Sequence, residues 1–140
     1  MTQATKASDI KRKWHLFDLK DKNLGRSATK IAEILMGKSK PYFVKNLDCG
    51  DFVVVINAKQ VAVTGKKEKQ KTYYNYSGYP GGLKAITLEN LRKTKPEEII
   101  RHAVKGMLPG NKLQATMLKR LFVFSEENHK YQEMFKKSSV

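Results

Sequence analysis

The chain has little of what disulfide-linked, metal-binding or membrane-spanning proteins need. Cys49 is its single cysteine, so no internal disulfide can form, and its three histidines lack the spacing of zinc ligands. The longest apolar run, residues 52–56, is far shorter than the ~20 residues that cross a bilayer. The N-terminus lacks an apolar segment, so we expect no secretory signal. We therefore predict a protein with no metal, no cofactor, no small-molecule substrate and no membrane.

Acidic residues are also scarce. The 140 residues include 28 Lys and Arg against 13 Asp and Glu, which gives a net charge of +15. Such an imbalance destabilises a compact monomer through self-repulsion, and a polyanionic partner removes that repulsion. Nucleic acid is the first candidate for this partner, and an anionic membrane surface is the second. Hydrophobic residues make up 40% of the chain, which favours one domain with a core over disorder.

The first half of the chain has the pattern of a strand, a helix and a buried strand. Residues 14–19 alternate as a short strand does. The helix is marked by an apolar stripe at helical spacing, formed by Leu24, Ala28, Ile31 and Leu35. Gly37 is a natural helix end, and residues 52–56 are apolar throughout, as in a strand buried on both faces. This order predicts a βαβ unit with a parallel strand pair and a right-handed crossover.

The second half of the chain is mostly helical in pattern. Thr87 can cap a short helix, and Pro96 stands where the first residue of another helix should be. Asn111 can cap a further helix, residues 122–124 predict a late strand, and residues 61–63 predict a second short one. We predict a flexible basic arm over residues 1–13, an α/β domain over 14–124 and a C-terminal tail over 125–140.

The most informative segment is the glycine-rich run Ser-Gly-Tyr-Pro-Gly-Gly-Leu-Lys at residues 77–84. Three glycines and a proline exclude a regular helix or a central strand. Lysines and tyrosines surround it: Lys66, Lys67, Lys69, Lys71, Tyr73, Tyr74, Tyr76 and Tyr79. Such a loop brings its backbone close to a partner, and its flanks suit phosphates and base faces. The segment predicts RNA binding, with Tyr74 and Tyr76 on one face of a strand.

A second basic segment, residues 105–112, contains the turn Pro109-Gly110. Lys105 and Lys112 flank this turn, and Lys119 and Arg120 lie one or two helical turns beyond it. We expect Asn111 to leave unpaired amides of the following helix pointing outward, which suits an anion. The segment therefore predicts a second contact with phosphate.

Two motifs have simpler explanations than catalysis. Gly37-Lys38-Ser39 matches the end of a phosphate-binding loop, but the earlier glycine is missing and the tripeptide ends a helix rather than preceding one. Asp48 and Asp51 could bind a divalent ion or act as acid and base. Asp and Gly also commonly form turns before strands, and we favour that interpretation.

These residues carry a resemblance to the large-subunit ribosomal protein thirteen family, in its bacterial or organellar form. The matching elements run in order over nearly the whole chain: Trp14 with Asp18, residues 24–26 with 28–29, residues 48–51, Asn57-Ala58, residues 63–67, Tyr73-Tyr74, residues 77–82 and residues 103–109. No single element is decisive, but the ordered set is highly specific.

The resemblance implies a three-layer α/β/α domain on a mainly parallel four-stranded sheet, and no catalysis. It also implies a structural constituent of the large ribosomal subunit that binds large-subunit ribosomal RNA and supports early subunit assembly. Its partners would be that RNA and neighbouring ribosomal proteins, in cytoplasmic or organellar ribosomes. Together with the basic segments, it predicts the following RNA-binding residues: Arg26, Lys38, Lys66, Lys67, Lys69, Lys71, Tyr79, Gly81, Gly82, Lys84, Lys105, Lys112, Lys119 and Arg120.

The chain departs from the family pattern in three places. Tyr76 stands where a histidine is common, Gln114-Ala115 replaces a usual Gly-Arg, and a usual histidine-proline-histidine run is missing after Ser125. Two alternatives remain open from the residues themselves. One is a free regulatory module that binds RNA or DNA. The other is a small nucleotide-using enzyme, although residues 18–22 lack the glycine-rich turn that such a fold carries after its first strand.

Overall fold

A computed structural model describes residues 6, 8, 10–44, 47–127, 130 and 131. Its helices and strands are, in chain order, β1 (Trp14–Asp18), α1 (Leu24–Met36), β2 (Phe52–Ile56), α2 (Lys67–Gln70), β3 (Thr72–Tyr76), β4 (Leu83–Thr87), α3 (Leu88–Thr94), α4 (Pro96–Met107), α5 (Leu113–Lys119) and β5 (Leu121–Val123). A 3-10 turn, Ala58–Gln60, follows β2. The mixed α/β class predicted from the sequence is confirmed.

Strands β1, β2 and β5 form a parallel sheet in that order. Trp14 pairs with Phe52, and Val54 pairs with Phe122, which places the predicted buried strand β2 at the centre. The sheet has three strands among the described residues, not the four expected, because β3 and β4 form a separate antiparallel pair. The predicted strand at residues 61–63 is reduced to a single parallel bridge between Asn23 and Ala62.

The main hydrophobic core lies on one face of the parallel sheet. Val53 and Val55 of β2 point into it, and buried side chains from four helices pack on them, including Ile31, Leu91 and Ile100. This burial is what holds short helices such as α3 and α5 in place, since helices of so few residues are marginal by themselves. Helices α1 and α4 pack directly against each other.

The opposite face of the sheet carries an aromatic cluster. Trp14 stacks on Phe52 with ring centroids 4.5 Å apart, and Phe122 lies 5.8 Å from Trp14. Tyr131, from the predicted tail, stacks on Trp14 at 5.2 Å and packs on Phe122 at 4.5 Å. In the described part of the chain this face is covered by aromatic side chains rather than by a helix, so the three-layer arrangement stays a prediction.

The helix ends follow the chemistry expected of them. Gly37 ends α1 with a left-handed φ of 81°, and Thr87 accepts a hydrogen bond from the Asn90 amide at the start of α3. Pro96 begins α4 with Glu97 and Glu98 in its first turn, which favours the positive end of the helix dipole.

The end of the predicted N-terminal arm is held to the domain. The Arg12 guanidinium donates to the carbonyls of Gly50 at 2.5 Å and Asp48 at 2.9 Å. The Lys13 amide donates to Asp51, and its carbonyl accepts from Phe52. Residues 11–13 therefore contact the domain, while residues 1–5, 7 and 9 lie outside the described part, and the flexible arm over residues 1–13 stays a prediction. The domain limits themselves stay a prediction.

Candidate nucleic-acid interface

The basic segment at residues 66–71 is exposed and is held to α3 by Glu68 and by the Lys71 carbonyl, which accepts a hydrogen bond from the Leu88 amide at 2.9 Å. The side chains of Lys66, Lys67, Lys69 and Lys71 are all exposed. Between them, the Glu68 carboxylate receives two parallel hydrogen bonds from Arg92 of α3, at 2.7 and 2.9 Å. Arg92 also donates to the Val61 carbonyl at 2.7 Å. This bidentate ion pair fixes α2, and with it the lysines, against the rest of the domain.

The antiparallel strands β3 and β4 form a hairpin that carries the glycine-rich loop. The loop closes through two hydrogen bonds, from the Gly82 amide to the Tyr79 carbonyl at 2.9 Å and from the Ser77 amide to the Gly82 carbonyl at 3.2 Å. A side chain at Gly82 would overlap Ser77, and Gly81 has a left-handed φ of 74°, so both glycines are required by this turn. Tyr79, Gly81 and Lys84 are exposed around it.

Tyr73 attaches the hairpin to the core. It is partly buried, and its ring lies 5.1 Å from the His102 ring of α4. Burial raises the pKa of the Tyr73 hydroxyl, although the nearby Arg92 charge opposes this. The Lys71 ammonium lies 5.4 Å from the same ring, within the range of a cation–π contact. Tyr74 and Tyr76 lie on one face of β3, as predicted, and both are exposed, whereas Tyr73 packs against the core.

A groove of about 390 Å³ joins three separate parts of the chain. Its walls include Gly25 at the start of α1, Lys67 and Lys71 of the basic segment, and His102 and Gly106 of α4. Arg26 and Lys105 are exposed and adjacent in the chain to two of these glycines. The fold thus brings residues from positions 25, 67 and 106 to one surface.

Two further grooves extend this surface along α4. One shares His102 with the first groove and is lined by Lys84 and Tyr74 of the hairpin. The other shares Met107 and is lined by Lys38 and Asn111. The three grooves therefore form one connected surface that runs along α4. This surface carries Lys84, Lys67 and Lys38. Lys119 is exposed at the end of α5 and lines none of these three grooves.

The turn before α5 differs from its predicted form. The Asn111 side chain accepts a hydrogen bond from the Leu113 amide at 3.0 Å, and its carbonyl accepts from Gln114 at 3.2 Å. These amides are paired within the chain, so the expected outward-facing anion site is not observed. Lys105 and Lys112 remain exposed on either side of the turn. Lys105 and Lys112 could therefore contact phosphates individually, without a shared anion site at the start of α5.

Arg120 is a correction to the predicted interface. Only 6% of the residue is exposed, and its guanidinium donates to the carbonyls of Leu35 and Asp51, both at 3.1 Å, and to the Asp48 carboxylate. Burial lowers the pKa of the Arg120 guanidinium, and the Asp48 carboxylate opposes this shift. A guanidinium used in this way ties α1, β2 and β5 together and is not presented to a phosphate.

Asp48 and Asp51 form the acidic half of this interior network. Asp51 accepts from Lys40 at 2.6 Å, from His15 at 2.8 Å and from the Lys13 amide at 3.0 Å. Burial raises the pKa of the Asp51 carboxyl, but the hydrogen bonds from Lys40, Lys13 and His15 outweigh it, and the net pKa is lowered. Both aspartates thus have structural roles. This agrees with the interpretation, favoured from the sequence, that they shape the turn before β2. No group of three or more His, Cys, Asp or Glu side chains in the described residues could hold a metal ion.

Sequence reasoning missed Arg92 and Glu68, which position the basic segment. One clue was available, because Glu68 is the only carboxylate among residues 52–88. An isolated carboxylate inside a basic run indicates a specific ion pair, and Glu68 forms one with Arg92.

Fold and site together define a basic α/β domain with exposed lysines along α4, in which Asp48 and Asp51 are paired internally. No helix in the described part of the chain has the length and apolarity needed to cross a membrane. A family model described as Ribosomal protein L13 matches residues 12–130. The chain belongs to this family, whose members are structural, non-enzymatic components of the large ribosomal subunit.

Relatives named "Large ribosomal subunit protein uL13" match almost the whole chain. The protein of Dehalococcoides mccartyi (strain 195) is 55% identical over 128 residues, covering 91% of this chain and 90% of its own. That of Caldanaerobacter subterraneus subsp. tengcongensis is 56% identical over 127 residues, covering 91% and 89%. That of Natranaerobius thermophilus is 52% identical over 131 residues, covering 94% and 92%. The resemblance and the absence of enzymatic activity inferred from sequence are confirmed.

Proposed function

We propose that this protein is a structural constituent of the large ribosomal subunit that binds large-subunit ribosomal RNA through phosphate and shape contacts. It supports early subunit assembly and contacts neighbouring ribosomal proteins, in the ribosomes of the cytoplasm or of an organelle. The observation that carries the proposal is the connected surface along α4, on which Lys84, Lys67 and Lys38 are exposed.

The charge arrangement supports phosphate as the counter-charge. Asp48, Asp51 and Glu68 are each paired with a basic side chain of the chain itself. Exposed lysines such as Lys66 and Lys69 face solvent and form no ion pair with a carboxylate of the described residues. Cations held in register on a folded domain suit the backbone of a folded RNA, which proteins recognise mainly by shape.

Salt dependence tests this mode of binding. If six to ten phosphates are neutralised, affinity for transcribed large-subunit ribosomal RNA should fall roughly 10³- to 10⁵-fold between ~50 and ~200 mM salt. The double variant Lys66→Ala/Lys67→Ala should weaken binding and reduce the slope of log affinity against log salt by about one to two. Lys93→Ala is the matched control, since Lys93 already lies 3.7 Å from the Glu89 carboxylate. An affinity that hardly changes with salt would contradict the proposal.

A sucrose gradient tests the assignment to the subunit. Cell extract at moderate salt is fractionated and probed for this protein. A peak with the large subunit is the expected result. A peak at the top of the gradient would instead favour a free nucleic-acid-binding module and overturn the ribosomal assignment.

A further inference from the structure

We propose that the outer face of the β3–β4 hairpin is a stacking surface for unpaired nucleotides of RNA. This inference rests on the RNA binding proposed above and adds the class of RNA element that the hairpin recognises. It concerns the faces of bases, whereas the lysine contacts concern phosphates. The two modes therefore have different experimental consequences.

The pairing of the strands defines the outer face. Tyr74 pairs with Ala85, and Tyr76 pairs with Leu83. Directly paired residues lie on the same side of an antiparallel ribbon, and alternate residues of a strand share a face. The outer face therefore consists of Tyr74, Tyr76, Leu83 and Ala85, and the paired residues Tyr73 and Ile86 face the core.

This outer face is exposed to an unusual degree for its composition. The exposed fractions are 69% for Tyr74, 62% for Tyr76 and 61% for Leu83. Tyr79 in the adjoining loop is 75% exposed. Single apolar residues are common on protein surfaces, but three large ones on one side of a short ribbon form a patch, and such patches mark binding sites.

The charge around the patch selects RNA as its occupant. No carboxylate occurs in residues 69–88, whereas Lys69, Lys71 and Lys84 lie within the same stretch. Lys84 pairs with Asn75, so its side chain leaves the ribbon on the face opposite to Tyr74 and Tyr76, and its long aliphatic chain reaches the edge of the patch. Glu98 of α4 lines the groove beside Tyr74, but it is paired with Arg101 at 3.5 Å. A polyanion is thus favoured over a neutral or basic protein surface at this position.

The geometry of the patch selects unpaired nucleotides rather than a continuous duplex. Tyrosines two residues apart on a strand are separated by about 6.6 Å. That spacing admits one base plane between two rings, since stacked bases lie ~3.4 Å apart. In a continuous A-form duplex the base faces are covered by their neighbours, so only loops, bulges and ends can offer them to tyrosines.

The test compares single-stranded and duplex RNA on the full-length protein. The probes are a 12-nucleotide RNA containing 2-aminopurine and a 12-base-pair duplex that contains the same strand. The wild-type protein should quench 2-aminopurine in the single strand. Tyr74→Ser and Tyr76→Ser should each weaken single-strand binding about 10-fold, within the range of roughly 5- to 150-fold for loss of one base–aromatic stack. Duplex binding and the salt slope should stay unchanged.

Tyr74→Phe and Tyr76→Phe are the matched controls, because phenylalanine keeps the ring and loses only the hydroxyl. These variants should bind the single-stranded RNA within about twofold of the wild-type affinity, because stacking needs the ring and not the hydroxyl. The circular dichroism spectrum and melting temperature of each variant establish that the hairpin is folded. Leu83→Ser provides a second measurement on the opposite strand of the same face.

The remaining outcomes separate the two proposals. Steep salt dependence with no effect of the serine variants would overturn the stacking surface and leave the phosphate interface standing. Equal losses on single strand and duplex would also overturn it. Normal RNA binding combined with loss of the serine variants from the large-subunit peak would assign the face to a neighbouring protein instead. A wild-type protein that binds neither probe nor ribosomal RNA would refute both proposals.

Discussion

Replacing Arg120 with methionine should strongly lower the melting temperature of the protein. It should not change the salt dependence of RNA binding. The exposed fractions of the paired side chains are 7% for Arg120 and 9% for Asp48. Removing one partner of a buried ion pair costs about 3–5 kcal/mol, because the other charge remains buried. In Arg120→Met the carbonyls of Leu35 and Asp51 lose donors as well.

The expected loss is a large part of the total stability. Small domains unfold with about 5–15 kcal/mol, and one kcal/mol corresponds to about 4 °C in melting temperature at this chain length. Arg120→Met should therefore lower the melting temperature by about 12–20 °C. The neighbouring exposed residue provides the control, since Lys119→Ala should change stability by less than ~0.5 kcal/mol.

Thermal unfolding followed by circular dichroism and RNA binding measured across salt concentrations together distinguish the two roles. Lys119→Ala should reduce the salt slope by about one if Lys119 contacts a phosphate, whereas Arg120→Met should leave it unchanged at a temperature where it is folded. In the double variant Asp48→Asn/Arg120→Met the loss should be smaller than the sum of the single losses. A melting temperature near wild type together with a reduced slope in Arg120→Met would refute the buried role.

Three further predictions follow from other contacts. Arg92→Met removes the bidentate pair with Glu68 and the bond to Val61, so it should cost about 1–3 kcal/mol and weaken RNA binding; a wild-type affinity would show that the basic segment needs no anchor. Gly50→Ala should be strongly destabilising because a Cβ would overlap the Leu35 carbonyl, whereas Gly106→Ala meets nothing within 4 Å and should stabilise the exposed end of α4 by up to ~1 kcal/mol in urea unfolding. A loss of stability in Gly106→Ala would contradict the inference that a Cβ at this position meets no neighbouring atom. The pKa of Asp51 is lowered below its ordinary 3.8, because hydrogen bonds from Lys40, Lys13 and His15 outweigh burial. Its stabilising contribution is therefore present above that ordinary pKa and is lost as pH falls through the lower, folded-state value. Asp51→Asn should flatten the loss of stability below about pH 4, and parallel curves for the two proteins would contradict this.

Most local structure was predictable because it depends on neighbours along the chain. The periodicity of α1, its end at Gly37 and the start of α4 at Pro96 all follow from residues within a turn or two. The central position of β2 in the sheet agrees with its uninterrupted apolar composition.

The sheet was less predictable because strand pairing is decided at long range. β3 and β4 are as strand-like as β1, yet they pair with each other, and in the described part of the chain the parallel sheet has three strands. Residues 61–63 are apolar but find only one bridge partner, at Asn23. Burial and turn geometry, which composition alone does not specify, decide between such outcomes.

By itself, the sequence determined the excess of positive charge, from which a polyanionic partner is proposed, and the main helices, since net charge and hydrophobic period are properties of the chain before it folds. Only the tertiary structure decided which cations are available to that partner. Lys119 and Arg120 are adjacent and chemically alike, yet one is exposed and the other is buried. The reason is that the partners of Arg120 lie 72 and 85 residues away, at Asp48 and Leu35. A side chain's environment is made by residues that only folding brings near.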